Sequence, residues 1–344
     1  MIHYLIPKNG HFYKANLHTH TTISDGCKTP EEIKEIYKAH GYSVVAFTDH
    51  DVMIEHSDLN DEDFLAITSH EVETNGPSVG GSFLATPTYH LNFYAKNPHE
   101  TNYVCPNPNY AWGNARAIAD TQDYYKGDYV RRYSVEGQNE MIAEANAKGY
   151  LVSYNHPDWS TQSYPDYIGL EGVTAVEVYN TGCVLAGYVL DAGDHVLDDF
   201  LKMGKRVYPI ATDDCHENHD MCGGWVRFKA PALTYDDIMT AYEKGDFYAS
   251  WGPEIDALYL EDGVLKMDFP ADSHVCHVAV HSACRWAAAR YGEDMAHAEF
   301  DINSYISEIK QIGSPLDRAY FRLIVTDYKG RKAITRGYFL DELK

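Results

Sequence analysis

Seven short apolar runs punctuate the chain between Tyr13 and Thr212, and most of them end in a histidine or a carboxylate. The runs lie near Tyr13–Leu17, Ser43–Thr48, Phe64–Thr68, Tyr89–Tyr94, Tyr150–Tyr154, Ala175–Tyr179 and Arg206–Ala211. Four to six continuous apolar residues suit strands buried on both faces, as in a parallel sheet. Helical patterns separate several of them. Thr29-Pro30-Glu31-Glu32 reads as an N-cap, a proline at the first helical position and a capping-box glutamate. Val135–Lys148, Val189–Lys202 and Tyr235–Lys244 each end before a glycine. Strand–helix alternation of this kind predicts an α/β domain, and about seven units predict a barrel or near-barrel.

Two places break the rhythm. Residues 96–132, rich in Tyr, Asn and Pro, form an insertion too long for a simple connection. After Ser250-Trp251-Gly252-Pro253 the pattern turns to alternating strands. Asp262-Gly263 marks a hairpin, and Lys329-Gly330 marks a second turn. The expectation is a barrel over 1–253 and a small all-β, sandwich-like domain over 254–344.

The strand ends carry the chemistry. The first run leads into His18-Thr19-His20 and then Ser24-Asp25-Gly26. The second leads into Thr48-Asp49-His50, and the third into Glu71. His90 lies in the fourth run, and Asn155-His156-Pro157 follows the fifth. Glu177 lies in the sixth, which ends at Asn180, and the seventh ends Asp213-Asp214-Cys215-His216. In a parallel barrel these carboxyl ends meet on one face. Residues i and i+2 of an extended segment point to one side, so His18 and His20 reach one metal together, as do Asp214 and His216.

The order His-x-His, Ser-Asp-Gly, Thr-Asp-His, Glu, His, Asn-His-Pro, Glu-Val-Tyr-Asn, Asp-x-His resembles the PHP (polymerase and histidinol phosphatase) metallohydrolases over roughly residues 13–252. The following Tyr248–Pro253 and β domain are similar to the carbaryl-hydrolase-like (CehA/McbA) branch. The resemblance implies a distorted seven-stranded β/α, TIM-like barrel with two or three divalent ions, Mn, Fe or Zn. By position it implies a first ion on His18, His20, Glu71 and Asp214. Glu71 would bridge to a second on His90 and His156, and Asp25, His50 and His216 would take a third. Many relatives have histidine where this chain has Asp25, and a carboxylate there favours Mn²⁺ and Fe²⁺. The implied activity is hydrolysis of a small phosphate ester by a metal-bridging hydroxide, with Asp214 as proton shuttle. A carboxylic ester, carbamate or amide is the alternative on the same site. A nuclease or a non-catalytic metal-binding scaffold are further readings.

The remaining candidates are read from position. Asp49 and Asp213 are expected to orient neighbouring imidazoles. Glu177 and Asn180 either cap a strand end or line the pocket. Arg116, Arg131 and Arg132, in the insertion, are either solvated charges or a lid's phosphate grip. His274, Cys276, His277, His281 and Cys284 fit no standard zinc spacing.

Charge bounds the partners. The chain holds 28 Lys and Arg against 51 Asp and Glu, a net −23, with 18 His. Of these, 17 basic and 36 acidic residues and 14 His precede residue 254. Nucleic-acid binding needs clustered cations, which are absent. No apolar run is long enough for a membrane span, and the first ten residues lack signal-peptide character. Seven scattered cysteines point to a reducing, cytoplasmic setting. The expected partner is a small-molecule substrate, with neither nucleic acid nor membrane.

Overall fold

The structure is a computed structural model that describes residues 2–78, 80–100, 102–122, 126–188 and 192–343. The chain begins with β1 (Ile2–Tyr4), β2 (His11–Asn16), α1 (Pro30–Ala39), β3 (Val44–Phe47), β4 (Leu65–Asn75) and β5 (Thr88–Ala95). There follow α2 (Gly113–Ala119), α3 (Val135–Ala147), β6 (Tyr150–Tyr154), α4 (Tyr164–Tyr167), β7 (Ala175–Asn180), α5 (Thr181–Leu185), α6 (Ala192–Lys202) and β8 (Tyr208–Thr212). The front part closes with β9 (Trp225–Ala230), α7 (Tyr235–Lys244) and β10 (Phe247–Ser250). Val189 and Leu190, expected to open the helix before β8, lie outside the described residues.

The capping signals act as read. Thr29 accepts from the Glu32 backbone and Glu32 from the Thr29 backbone, which fixes the start of α1. Ile33 and Tyr37 are its buried stripe. Thr234 caps α7, and Gly245 ends it in the left-handed region at φ 71°.

Strands β2 to β8 lie in sequence order in one sheet. The β2–β3–β4 and β6–β7–β8 pairs are parallel. β5 runs antiparallel to both β4 and β6, against the expectation of a uniformly parallel set. The connection from residue 76 to 87 has no helix long enough to carry the chain back across the sheet, so the next strand returns in the opposite sense. The mixed α/β class is as expected, and the sheet does not form a closed ring of ladders. Among the described residues no ladder joins β8 to β2. Beyond their ends Thr19 forms one parallel bridge with Cys215, Asp214 N donates to His18 O (2.9 Å), and His20 N donates to Cys215 O (3.2 Å). The architecture is a mixed α/β layer that curves round so that β8 approaches β9 and β10. β2 continues outward through antiparallel β9 and β10.

The C-terminal part contains β11 (Ala257–Glu261), β12 (Val264–Asp268), β13 (Val275–Ser282), β14 (Ala288–Tyr291), β15 (His297–Asp301), α8 (Asn303–Gln311), β16 (Tyr320–Asp327), β17 (Lys332–Thr335) and β18 (Tyr338–Phe339). Two sheets enclose one apolar core. Leu258, Leu265, Met267 and Phe300 come from one, and Val278, Val280, Phe321 and Leu323 from the other. Asp262 and Gly263, at φ 49° and 82°, make the expected hairpin turn. Three features depart from a separate all-β unit. α8 is helical, and it escaped notice because Ile302 at its N-cap offers no capping side chain. β1 pairs with β11, so the first strand adds to the C-terminal sheet rather than to the 1–253 unit. β17 pairs with β10, so one sheet path crosses the seam at residues 252–254.

A buried ion pair also crosses it. Arg322 on β16 donates from Nε and Nη2 to the Asp198 carboxylate on α6, at 2.7 and 2.9 Å. Removing one partner of such a pair leaves a charge buried without compensation. Arg322→Ala should therefore destabilise the protein by about 3–5 kcal/mol, read from denaturant unfolding, while metal content per folded molecule stays at the wild-type value.

Candidate metal centre

Strands β4 and β5 and the segments that follow the parallel strands bring the nine expected ligands together in one largely buried cluster. His18 and His20 follow β2, and their Nε2 atoms lie 3.1 Å apart. Asp25 arrives by a tight return at Gly26, where a Cβ would come within 2.3 Å of the His20 carbonyl oxygen. Glu71 lies within β4 rather than beyond its end, and His90 within β5. His156 and Asp214 follow β6 and β8 with φ of 25° and 50°. Two non-glycine residues in the left-handed region within one site mark a backbone held there by its surroundings.

Glu71 is the centre of the arrangement. Its Oε1 lies 3.2 Å from His18 Nε2, 3.1 Å from His90 Nδ1 and 3.6 Å from His156 Nε2. Its Oε2 lies 3.3 Å from His20 Nε2 and 3.2 Å from His50 Nδ1. One carboxylate thus faces two sets of imidazoles, the geometry of a bridging ligand. Asp214 Oδ1 sits 3.1 Å from both His18 and His20 Nε2. His216 Nε2 lies 3.3 Å from Asp25 Oδ2, and its Nδ1 is 3.0 Å from the Asp214 carbonyl oxygen.

Four overlapping groups bring their donor atoms within 4.8 Å of one another: His20, Asp25, His50 and His216; His18, His20 and Asp214; His50, Glu71 and His90; and His18, His156 and Glu177. The implied three-way partition is therefore blurred. His20 packs at ring distances of 4.4 Å on His50 and 4.2 Å on His216, in the group assigned to a third ion. His156 groups with His18.

The residues fit divalent ions. His20 Nδ1, His50 Nδ1, Glu71 Oε2 and both His90 ring nitrogens are buried and make no hydrogen bond with a described residue. Buried polar atoms left so are costly unless an ion takes them up. The donors are imidazole and carboxylate, which suit Mn, Fe and Zn, and no thiol belongs to any group. Charges within the cluster pull in opposite directions. Burial acts to lower the His18 and His20 pKa, but Asp214 and Glu71 outweigh it and raise both, His20 to about 10. His50, buried and beside His20, is pushed down to about 3. Burial opposes ionisation of Glu71 and Asp214, yet their histidines hold both well below the usual carboxylate range.

The supporting layer is partly as read. Glu177 Oε1 accepts from His18 Nδ1 at 2.6 Å and from Thr212 Oγ1 at 2.8 Å. That leaves His18 Nε2 for the cluster. Glu177 Oε2 accepts from His156 N and Asn180 Nδ2, and Asn180 Nδ2 also reaches Asp214 Oδ2 at 3.1 Å. Asp49 and Asp213 do not orient imidazoles, and that expectation is corrected. Asp49 accepts from the backbone of Thr21 and Ser24 and from both hydroxyls. Asp213 accepts from the backbone of Cys222, Gly223 and Gly224, from Thr181 Oγ1 and from Tyr37 Oη. Both pin loops, because several converging N–H donors outcompete a single ring nitrogen. The arginine grip is likewise corrected. Arg116 donates to Pro108 O and meets Asp120, and Arg132 pairs with Glu140 at the surface. Arg131 is buried, pairs with Asp51 and donates to Glu73 O.

Asn155, quoted in the motif but given no role, donates from Nδ2 to Glu71 Oε1 at 2.8 Å. The cluster opens into a cavity of about 440 Å³ whose wall includes Glu73, Phe83, Trp112 and Trp159. None of the four carried a signal in sequence, since isolated aromatics and a strand glutamate have no diagnostic spacing. No described Lys or Arg lines this cavity.

No protein-family model matches the chain, and no curated protein matches it. Among solved structures it is similar to a two-domain protein containing a predicted PHP-like metal-dependent phosphoesterase from Bacteroides vulgatus. That likeness has 13% identity and a TM-score of 0.46, over 97% of this chain and 98% of that chain. A putative metal-dependent phosphoesterase from Bifidobacterium adolescentis is 16% identical at a TM-score of 0.41, over 68% of this chain and 96% of that one. An amidohydrolase from Chromobacterium violaceum is 15% identical at a TM-score of 0.43, with the same coverage.

Glu71→Ala should cost more than one equivalent of bound metal, because it faces both ligand sets, whereas His216→Ala should cost at most one. Elemental analysis of the folded variants checks this, and equal stoichiometry in the two contradicts the bridge. Binding should also expel protons. His18 and His20 are protonated at pH 7 without metal, and coordination needs a free ring nitrogen. Affinity should fall roughly tenfold per pH unit as pH drops below about 10, through neutrality, for at least one ion. Calorimetric titration in two buffers of different ionisation enthalpy reads the release directly, and a heat independent of buffer contradicts it.

Proposed function

We propose that the protein is a metal-dependent hydrolase of small phosphate esters. The observation that carries this reading is the convergence of five histidines on Glu71, with Asp25, Asp214 and His216 beside them, and buried donor atoms without a hydrogen bond to a described residue at the base of an open cavity. Divalent ions held there would supply Lewis acidity, ease deprotonation of water and neutralise charge on a phosphoryl group. Overlapping ligand groups suit phosphoryl transfer, where attacking and leaving oxygens both need charge stabilisation.

The chain's own residues do the rest. Asp214 lines the cavity and is the group to take a proton from the attacking water and return it to the leaving oxygen. Asn180 holds Asp214 Oδ2, and Asn155 holds Glu71, so neither carboxylate must reorganise during reaction. Glu177 fixes the His18 tautomer. The aromatic wall gives a substrate apolar surface beside the reacting atoms. A nuclease role fits poorly with the acidic front part and a lining without Lys or Arg. A cytoplasmic setting is part of the same reading, on the scattered cysteines.

One observation favours a second reading. With no described Lys or Arg in the lining and its histidines engaged as candidate ligands, bound ions would be what marks the substrate as an anion, so an uncharged carboxylic ester, carbamate or amide fits the same space. Assays of p-nitrophenyl phosphate and a p-nitrophenyl carboxylic ester with added Mn²⁺ separate the two. The phosphate ester should be turned over, chelator should abolish this, and Mn²⁺ should restore it. Hydrolysis of the carboxylic ester alone overturns the phosphoesterase reading. Asp214→Asn should lower kcat by about 100-fold or more, and a wild-type kcat removes Asp214 from the proton path.

A further inference from the structure

The outer half of the cavity has a chemistry that hydrolysis of a simple phosphate ester leaves unused. Trp159 packs edge-on against His90 and His156, with ring centroids 5.3 and 5.0 Å away. Phe83 is 6.1 Å from Trp159, and Trp112 is 5.6 Å from His50. Aromatic surface therefore borders the cluster on two sides. Phe83 is 61% exposed and Trp112 46%, so this surface is open in the free protein.

Glu73 lines the same cavity. It follows Glu71 by two residues on β4 and so projects to the same side of the strand. It belongs to none of the four ligand groups. Asn75 Nδ2 donates to its Oε1. Among the described residues no Lys or Arg forms an ion pair with it. Arg131, the basic residue on that side, directs its guanidinium to Asp51 and to the Glu73 main-chain oxygen.

Aromatic rings beside a carboxylate, at a rim where the described Lys and Arg side chains are absent or, like Arg131, turned to Asp51, are the pattern that recognises organic ammonium groups. The alternatives fit less well. An anionic distal group would meet Glu73 at close range. A neutral one would shield Glu73 from water and offer it no compensating partner.

We propose, on the metallohydrolase reading above, that the substrate carries an alkylammonium group at the end remote from its scissile ester, held among Trp112, Trp159 and Phe83 and paired with Glu73. Such a substrate is complementary at both ends. Its phosphate meets the cationic, metal-loaded base, and its ammonium meets the anionic, aromatic rim. The acidic, arginine-free lining then becomes a selection device for zwitterionic esters.

The test uses the full-length, metal-loaded protein and an isosteric pair. Choline and 3,3-dimethylbutan-1-ol differ by a charge at nearly constant shape. Titrated against tryptophan fluorescence, choline should bind about tenfold tighter or better. Glu73→Gln, checked for unchanged fold by circular dichroism and for metal content, should erase that preference, and Trp112→Leu should reduce it. Choline phosphate and 3,3-dimethylbutyl phosphate should show the same ratio in KM for the wild type and a ratio near one for Glu73→Gln. Equal binding of the charged and uncharged alcohols overturns the proposal, as does a preference that survives in Glu73→Gln. A charge preference with no turnover of either ester supports the ammonium site and overturns the phosphoesterase reading instead.

Discussion

A carboxylate buried among imidazoles is the constraint on which this structure turns. Glu71 has no exposure, and its two oxygens face five histidines. In a low-dielectric setting such a group cannot be left uncompensated. Asn155 offers one hydrogen bond, and the histidines offer protons that ligation would remove. A cation is the remaining way to satisfy several inward lone pairs at once. The left-handed backbone at His156 and Asp214, the tight return at Gly26 and the Glu177 brace on His18 all serve to hold donors where that cation would sit.

The large sheet explains how so many donors are held. β2, which leads to His18 and His20, sits between β3 and β9. β9 leads through β10 to β17, so the C-terminal sheet braces the ligand-bearing strand from behind. Asp49 and Asp213 secure the loops on either side of the opening. Their hydrogen bonds go to backbone N–H groups and hydroxyls, and each fixes the path of a segment that bears a ligand. The first strand, β1, closes the loop by joining the far sheet.

Much of the site was legible because its geometry is local. His18 and His20, and Asp214 and His216, are spaced for one side of an extended segment, and the strand-end positions of His50 and His156 follow from the apolar runs. What escaped depends on distant neighbours. The direction of β5 rests on how the chain returns after residue 75. The fate of Arg131 rests on Asp51, eighty residues earlier. α8 has an apolar stripe, but Ile302 stands at its N-cap and the capping carboxylate, Asp301, sits one residue earlier, at the end of a strand. Trp112, Trp159, Phe83 and Glu73 come from separate segments, and only their meeting at one cavity gives them meaning.

The sequence by itself determined the donor set, the alternation of strands and helices, the α1 and α7 boundaries and the 262–263 turn. These rest on residue identity and on contacts a few positions apart. Tertiary structure decided that the segments after β2 and β8 meet at His18–His20 and Asp214–Cys215, and that Asp49 and Asp213 serve loops. It also decided that Glu71 faces both ligand sets and that the cavity rim is aromatic and acidic. Each of these depends on which buried groups find partners across the fold, and the partner is chosen by proximity in space rather than by position in the chain.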